Sequence, residues 1–269
     1  MSRYDMKKYE LRHLRNNVWF LKIWMCETYA PILEECFPQI DFNFSAGDKG
    51  TCTTEISLSN EQAQAIENLL DVFKKHILLK KNKNIEPYFS DELYQCFALN
   101  YNREELPGTD ITEYTHFGSL EHKAKEDRDI DARGELVEAF ANLCENHPIY
   151  GKTQIIIPIP PNLSKTFHLP VELARELAEK TGKKDGTALI RKVKETPKLQ
   201  DLSLDQKVKA LRGAIEITGD VDGKSVILID DLYQSGSTMW TVAKLLKKNG
   251  AKRVLGLACV KSWRDTDNQ

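Results

Sequence analysis

The chain has 269 residues, 41% of them apolar, and a formal net charge of −2 at pH 7. That length suits one ordinary domain with an extension, or two small domains, and is enough to bury a real core. The near-neutral balance supplies no global electrostatic argument for nucleic acid or a membrane surface as partner.

In chain order, the polar start MSRYDMKKYELRHLRNN carries no apolar heart of a secretion signal. The run Val18-Trp-Phe-Leu-Lys-Ile-Trp-Met25 is too short to span a bilayer and contains Lys22. Cys26, Cys36, Cys52, Cys96, Cys144 and Cys259 form no C-x-x-C pair. Zinc-ribbon spacing is thereby excluded, and the scatter reads as reduced thiols in a cytoplasmic protein with no membrane contact.

Residues 1–93 read as a mainly helical N-terminal region. Its clearest element is Ser59 to Lys81. Ser59 and Gln62 stand at capping-box spacing. Ala63, Ile66, Leu69, Leu70, Phe73 and Ile77 then recur at helical spacing as one apolar stripe. The stripe suits packing on the region's own core, or an interface with a second copy or a protein partner. The helix end is basic, with Lys74, Lys75, Lys80, Lys81 and Lys83. Lysines in a last turn complement the helix dipole. A nucleic-acid patch is the other reading, without aromatic interleaving to support it.

Residues 94–269 have a different pattern. Gln95–Tyr101 reads as a strand, Pro107 and Gly108 break the chain, and Asp131–Asn146 reads as a helix ended before Pro148. Gln154–Ile159 is a buried strand followed by Pro160 and Pro161. Leu169–Thr181 is a helix stopped by Gly182, and Lys183–Lys209 is a polar, lysine-rich loop or flap. Ala214–Thr218, Val226–Ile229 and Val254–Val260 read as strands, with a helix at Thr238–Asn249 closed by Gly250 and a polar tail from Trp263. Strands alternating with helices predict a parallel sheet with helices on both faces and ligands at the carboxyl ends of its strands.

The stretch VILIDDLYQSGST (226–238) lies at such an end. Two adjacent carboxylates, Asp230 and Asp231, repel each other and need a partner: sugar hydroxyls, a metal ion or a basic side chain. The loop Gln234-Ser235-Gly236-Ser237-Thr238 offers hydroxyls, backbone N–H groups and a glycine for close approach, and it opens a helix. Carboxylates beside an anion nest suit a polyhydroxyl joined to a phosphate, such as a ribose 5-phosphate. A receiver domain carries its aspartate pair on the first strand, with over half the domain to follow, whereas this pair lies near the end of the chain. A nucleotide-hydrolysing strand of Walker B type needs a preceding G-x-x-x-x-G-K-S/T, which the chain does not have.

The same thirteen residues resemble the phosphoribosyl-pyrophosphate (PRPP) signature of type I phosphoribosyltransferases. Across about residues 95–262 the likeness is to the ComF-like branch. IIIPIPP (155–161), LIRKVKETPKLQDLS (189–203, with Arg191, Thr196 and Gln200) and KALRGAI (209–215, with Gly213 and Ala214) carry it further. The resemblance implies a type I phosphoribosyltransferase-like α/β fold, a parallel sheet flanked by helices with a flexible flap. It implies transfer of a phosphoribosyl group from PRPP to an unidentified small-molecule acceptor, with release of pyrophosphate. Asp230 and Asp231 would hold the ribose hydroxyls, and Gln234, Ser235, Gly236, Ser237 and Thr238 the 5′-phosphate. Pro160, Pro161, Asn162 and Leu163 would face the pyrophosphate, and the flap from Lys192 to Lys209 would close over the site. Mg²⁺ would arrive on PRPP, near Asp230 and Asp231, with no metal held directly by the protein.

The chain departs from that branch in having no N-terminal cysteine ribbon, in Gln234, in Phe167-His-Leu-Pro170 and in Ala210. His168 is open to a general-base or a structural role. Tyr233 is open to packing or to stacking on a ligand. Two other functions fit the sequence: a non-catalytic PRPP- or nucleotide-binding regulator, and a ComF-like accessory of DNA uptake or processing.

Overall fold

The computed structural model describes Met6, residues 8–81 and residues 83–263. The side chain of Gln200 and the tail from Arg264 onward lie outside the described residues. The chain divides into two compact units, Met1–Leu78 with Leu143–Gly151, and Leu79–Asn142 with Lys152–Gln269.

The first unit carries β1 (Tyr9–Arg15), β2 (Val18–Trp24), α1 (Cys26–Cys36), β3 (Ser45–Ala46), β4 (Thr51–Ser57), α2 (Asn60–Lys75), β5 (Ile77–Leu78) and the short α5 (Pro148–Gly151). It is not mainly helical, as the sequence reading had it. Four strands form an antiparallel sheet in the order β1-β2-β4-β3. In β2 the inward residues Leu21 and Ile23 are buried. The outward positions on either side of this pair are also large: Phe20 lies under the Arg12 guanidinium at 4.8 Å and Trp24 under Lys22 Nζ at 5.0 Å. An apolar residue on both faces hides the period-two alternation that marks a half-buried strand.

Helix α2 starts as expected. The Gln62 N–H donates to Ser59 Oγ at 3.1 Å and the Ser59 N–H donates to Gln62 Oε1 at 2.9 Å. Its stripe of Ala63, Ile66, Leu69, Leu70 and Phe73 is buried, and Phe73 packs on Tyr29 of α1 at 4.7 Å. The helix ends at Lys75, where His76 turns extended. Lys80, Lys81 and Lys83 therefore lie beyond it, and Lys81 pairs with Asp91 at 3.5 Å. The reading of uniformly reduced thiols also needs correction: Cys26, at the start of α1, is disulfide-bonded to Cys52 of β4. His147 is fully buried between Phe73 and Tyr150, with Cys36 Sγ 3.9 Å from its Nδ1.

The second unit carries β6 (Gln95–Tyr101), the hairpin β7 (Arg103–Glu105) and β8 (Thr112–Tyr114), α3 (His116–His122) and most of α4 (Ile130–Asn146). Then come β9 (Ile155–Pro158), α6 (Leu169–Thr181), β10 (Lys184–Asp185), β11 (Ile190–Lys192), α7 (Leu204–Leu211), β12 (Ile215–Ile217), β13 (Ser225–Tyr233), α8 (Ser237–Lys248) and β14 (Arg253–Lys261). Strands β10, β9, β13, β14 and β6 pair in that order, all parallel. This is the mixed α/β fold the sequence predicts. Val226–Ile229 and Leu255, Leu257 and Val260 are fully buried, as expected where helices cover both faces of a parallel sheet.

The topology selects the ligand edge. From β9 the chain crosses through α6 to β10 on one side; from β13 it crosses through α8 to β14 on the other. The two outgoing loops diverge, and such a reversal opens a crevice at the carboxyl ends of its two strands. Strand β9 stops at Pro158, paired with Ile229, while β13 continues to Tyr233. The carboxylates therefore lie on a strand that has outrun one neighbour.

Candidate functional site

A cavity of about 460 Å³ opens at that crevice. This is within the range of small-molecule sites. Asp230, Asp231 and the whole loop Gln234–Thr238 line it, together with Pro160 and Asn162. Lys125, Lys165, Lys192, Lys198 and Lys207 also face it, so its polarity suits an anionic ligand. Of the residues expected after β9, Pro161 and Leu163 do not line it, and Leu163 is 61% exposed.

The phosphate-type loop is built by local geometry. Gly236 has φ 78° and precedes the first turn of α8. A Cβ there would sit 2.1 Å from the Tyr233 hydroxyl. The glycine is thus required by backbone conformation and by Tyr233 beneath it, as well as by any approaching ligand. Tyr233 is buried and accepts from Trp240 Nε1–H at 3.3 Å, which is packing. Ser235 Oγ donates to Ser237 Oγ at 3.1 Å, and both serines are buried at the mouth of α8. The exposed N-terminal N–H groups of a helix favour an anion there.

Lys125 answers the carboxylates, and sequence reading missed it. Thr115 caps α3, its Oγ1 accepting from the Gly118 N–H at 3.0 Å. A Cβ on Gly118 would collide with the Asn102 carbonyl at 1.9 Å, so this glycine lets the helix dock closely on the end of β6. A π turn, Lys123–Asp127, follows and is closed by Arg128 at φ 55°. Such turns change which side chain faces the sheet and recur at functional sites. Lys125 Nζ lies 2.9 Å from Asp231 Oδ2 and 3.2 Å from Glu121 Oε1. The readable signal was a capping threonine ahead of an i,i+4 Glu121–Lys125 pair.

The electrostatics divide the aspartates. Burial, with Asp231 beside it, pushes the Asp230 carboxyl well up. Burial alone would raise Asp231 too, but the Lys125 ammonium outweighs it and holds that carboxyl below its ordinary value. Burial also pushes Glu121 up. Lys125 is held above its usual value, its two carboxylates overriding its own desolvation. His168 lines the cavity, and burial brings it down to about 4, with Nδ1 buried and unpartnered among the described residues. It is neutral at pH 7 and only weakly basic. Arg128 stacks on the neighbouring Phe167 at 5.1 Å.

The flap forms part of the wall. Its base is the antiparallel pair β11–β12, and α7 carries its own capping box from Ser203 and Gln206. Lys192 Nζ donates to Thr196 Oγ1 at 2.7 Å and also to Asn162 Oδ1. Asn162 Nδ2 donates to the Thr196 carbonyl at 3.0 Å. The Glu195 carboxylate accepts from the Leu163 N–H at 3.0 Å and from Ser164 Oγ at 2.8 Å. A flap carboxylate thus occupies an N–H of the loop that was expected to face an anion. Burial lowers the Lys192 pKa, and Glu195 only partly offsets it.

Among the described residues, no group of three or more His, Cys, Asp or Glu side chains is placed to hold a metal ion. Lys125 takes the position beside Asp231. A resident metal does not fit this donor set. No helix among the described residues is long and apolar enough to cross a membrane.

Residues 135–265 match the family model described as the phosphoribosyl transferase domain. That match supports a phosphoribosyltransferase family for the span that includes the carboxylates, the loop and the flap. The ribose-phosphate pyrophosphokinase of Prochlorococcus marinus (strain MIT 9313) is 47% identical over 45 residues, 17% of this chain and 14% of that protein. The corresponding protein of Mycoplasma genitalium is 27% identical over 165 residues, 56% of this chain and 49% of that protein. The chain thus spans half or less of the length of these relatives. Among solved structures, adenine phosphoribosyltransferase from Saccharomyces cerevisiae is similar at 14% identity and a TM-score of 0.36, over 73% of this chain and 89% of that one. Adenine phosphoribosyltransferase from Thermoanaerobacter pseudethanolicus is similar at 18% identity and a TM-score of 0.34, over 59% and 95%.

Proposed function

We propose that this protein is a phosphoribosyltransferase that takes PRPP as donor, passes its phosphoribosyl group to a small-molecule acceptor and releases pyrophosphate. One observation carries the reading: the Asp230–Asp231 pair and the Gln234–Thr238 loop line one lysine-rich cavity at the switch point of a parallel sheet. The family match over residues 135–265 supports it. The likeness of segments 155–161, 189–203 and 209–215 favours the ComF-like branch.

In this reading the aspartates accept hydrogen bonds from the ribose hydroxyls, and the loop N–H groups hold the 5′-phosphate. Departure of pyrophosphate leaves positive charge on the ribose and negative charge on the leaving group. Lys165, Lys192 and Lys198 face that developing anion, and preorganised charge of this kind lowers the barrier. Mg²⁺ comes with the donor as part of the substrate and supplies further charge for the leaving group. The flap excludes water from a sugar that water would otherwise hydrolyse.

A second reading, a PRPP-binding regulator without turnover, is favoured by the proton chemistry. His168 is the histidine lining the cavity, its pKa is only about 4, and the Gln234 side chain is a neutral amide that does not titrate. Calorimetric titration with PRPP, with and without Mg²⁺, tests both readings. Binding is expected to weaken at least about a hundredfold in Asp230→Asn/Asp231→Asn, as for loss of buried charged acceptors. Binding with pyrophosphate release on acceptor screening means the transferase. Binding without turnover means the regulator, and a wild type indifferent to PRPP removes both.

A further inference from the structure

We infer that Lys125 is a cation built into this site, filling the place between Glu121 and Asp231 that a bridging divalent metal ion would otherwise take. The inference deepens the donor-site reading and rests on it for its functional meaning. Its geometry stands alone.

Two carboxylates meet at Lys125: Glu121 from α3 and Asp231 from β13. The side chains of Glu121 and Asp231 are only 11% and 13% exposed. Carboxylates so poorly hydrated need a counter-charge. A divalent ion bridging two of them would supply it. Lys125 does so instead, 3.2 Å from one and 2.9 Å from the other. An ammonium has three N–H donors. Two are engaged by these carboxylates, and the third is left for a ligand in the cavity that Lys125 lines. Lysine also suits the place as a compact point charge, where arginine would bring a wide planar fork.

The consequence is a site whose carboxylate pair takes no metal of its own while Lys125 is present. Take the lysine away, and Glu121 and Asp231 are left without a counter-ion. They then become a vacant site for a divalent cation.

The test needs no donor. Mn²⁺ is titrated into wild type, Lys125→Arg, Lys125→Gln and Lys125→Met, with free ion followed by electron paramagnetic resonance and folding by circular dichroism. Wild type and Lys125→Arg are expected to show no Mn²⁺ site that Asp231→Asn removes. Lys125→Gln or Lys125→Met is expected to gain one Mn²⁺ site at least tenfold tighter than any in the wild type. Adding Asp231→Asn or Glu121→Gln should abolish that gain. Where both neutral variants unfold in chelator, Mn²⁺ should restore their fold through the same bridge. Three results overturn the inference: a wild-type Mn²⁺ site lost in Asp231→Asn, a folded Lys125 variant with no gained site, or unfolded variants that Mn²⁺ does not rescue. PRPP calorimetry on the same samples keeps the two readings apart. A gained Mn²⁺ site in a protein that ignores PRPP removes the donor assignment and leaves Lys125 as the built-in cation.

Discussion

His147 shows at the scale of one residue how burial becomes a dependence on pH. Burial among Phe73, Tyr150 and Cys36 takes its pKa from 6.5 to about 3. Between those values the unfolded chain binds a proton that the folded chain refuses. Stability from this group is therefore full above pH 6.5 and declines as pH falls toward 3, by up to about 1.4 kcal/mol per pH unit. His168, at about 4 through burial, acts in the same direction over a narrower window. Urea unfolding at pH 7 and pH 5 should show wild type losing about 2 kcal/mol more than His147→Gln. Equal losses would mean that His147 is not buried neutral. The aspartate pair, by contrast, was legible in the sequence because two acids after an apolar run are costly wherever they fall. Lys125 was not, because its partner Asp231 lies far along the chain and only the fold brings them together.

Elements were legible where one period dominated. Helix α6 and strand β6 lie where the pattern put them, and the capping box of α2 is formed. Strand β2 was lost because aromatic residues occupy both its faces, and α7 because its short amphipathic turn is buried in a lysine-rich stretch. The flap teaches more than its sequence did. It is tied to the β9–α6 loop by Glu195, Asn162 and Thr196. Hydrogen bonds to a charged group are each worth about 1.5–3 kcal/mol, less at an exposed position such as Glu195. Glu195→Gln should therefore speed amide hydrogen exchange across residues 193–201 about fivefold to tenfold, with α6 unchanged. Exchange in the flap that does not respond would mean that other contacts hold it down.

For the molecule as a whole, the disulfide is the feature that cysteine spacing argued against. Spacing reports on metal-binding motifs; it says nothing of which strand and helix meet. Closing the segment from Cys26 to Cys52 restricts the unfolded chain and should stabilise the first unit by about 3 kcal/mol. Unfolding without reductant and counting thiols should find the four that remain, Cys36, Cys96, Cys144 and Cys259. Reductant should lower the melting temperature of wild type and leave Cys26→Ser/Cys52→Ser unmoved. Six reactive thiols in the unreduced protein would refute the pairing.

The first unit also borrows Leu143–Gly151 from the middle of the chain. A fragment ending at Leu78 would keep the antiparallel sheet, both long helices and the disulfide. It would also carry a hole where the fully buried side chains of His147 and Tyr150 now sit. The N-terminal unit is therefore not a detachable module. Swapping it between proteins takes three crossovers, one after Leu78 and one on each side of Leu143–Gly151, where a simple tandem arrangement needs one.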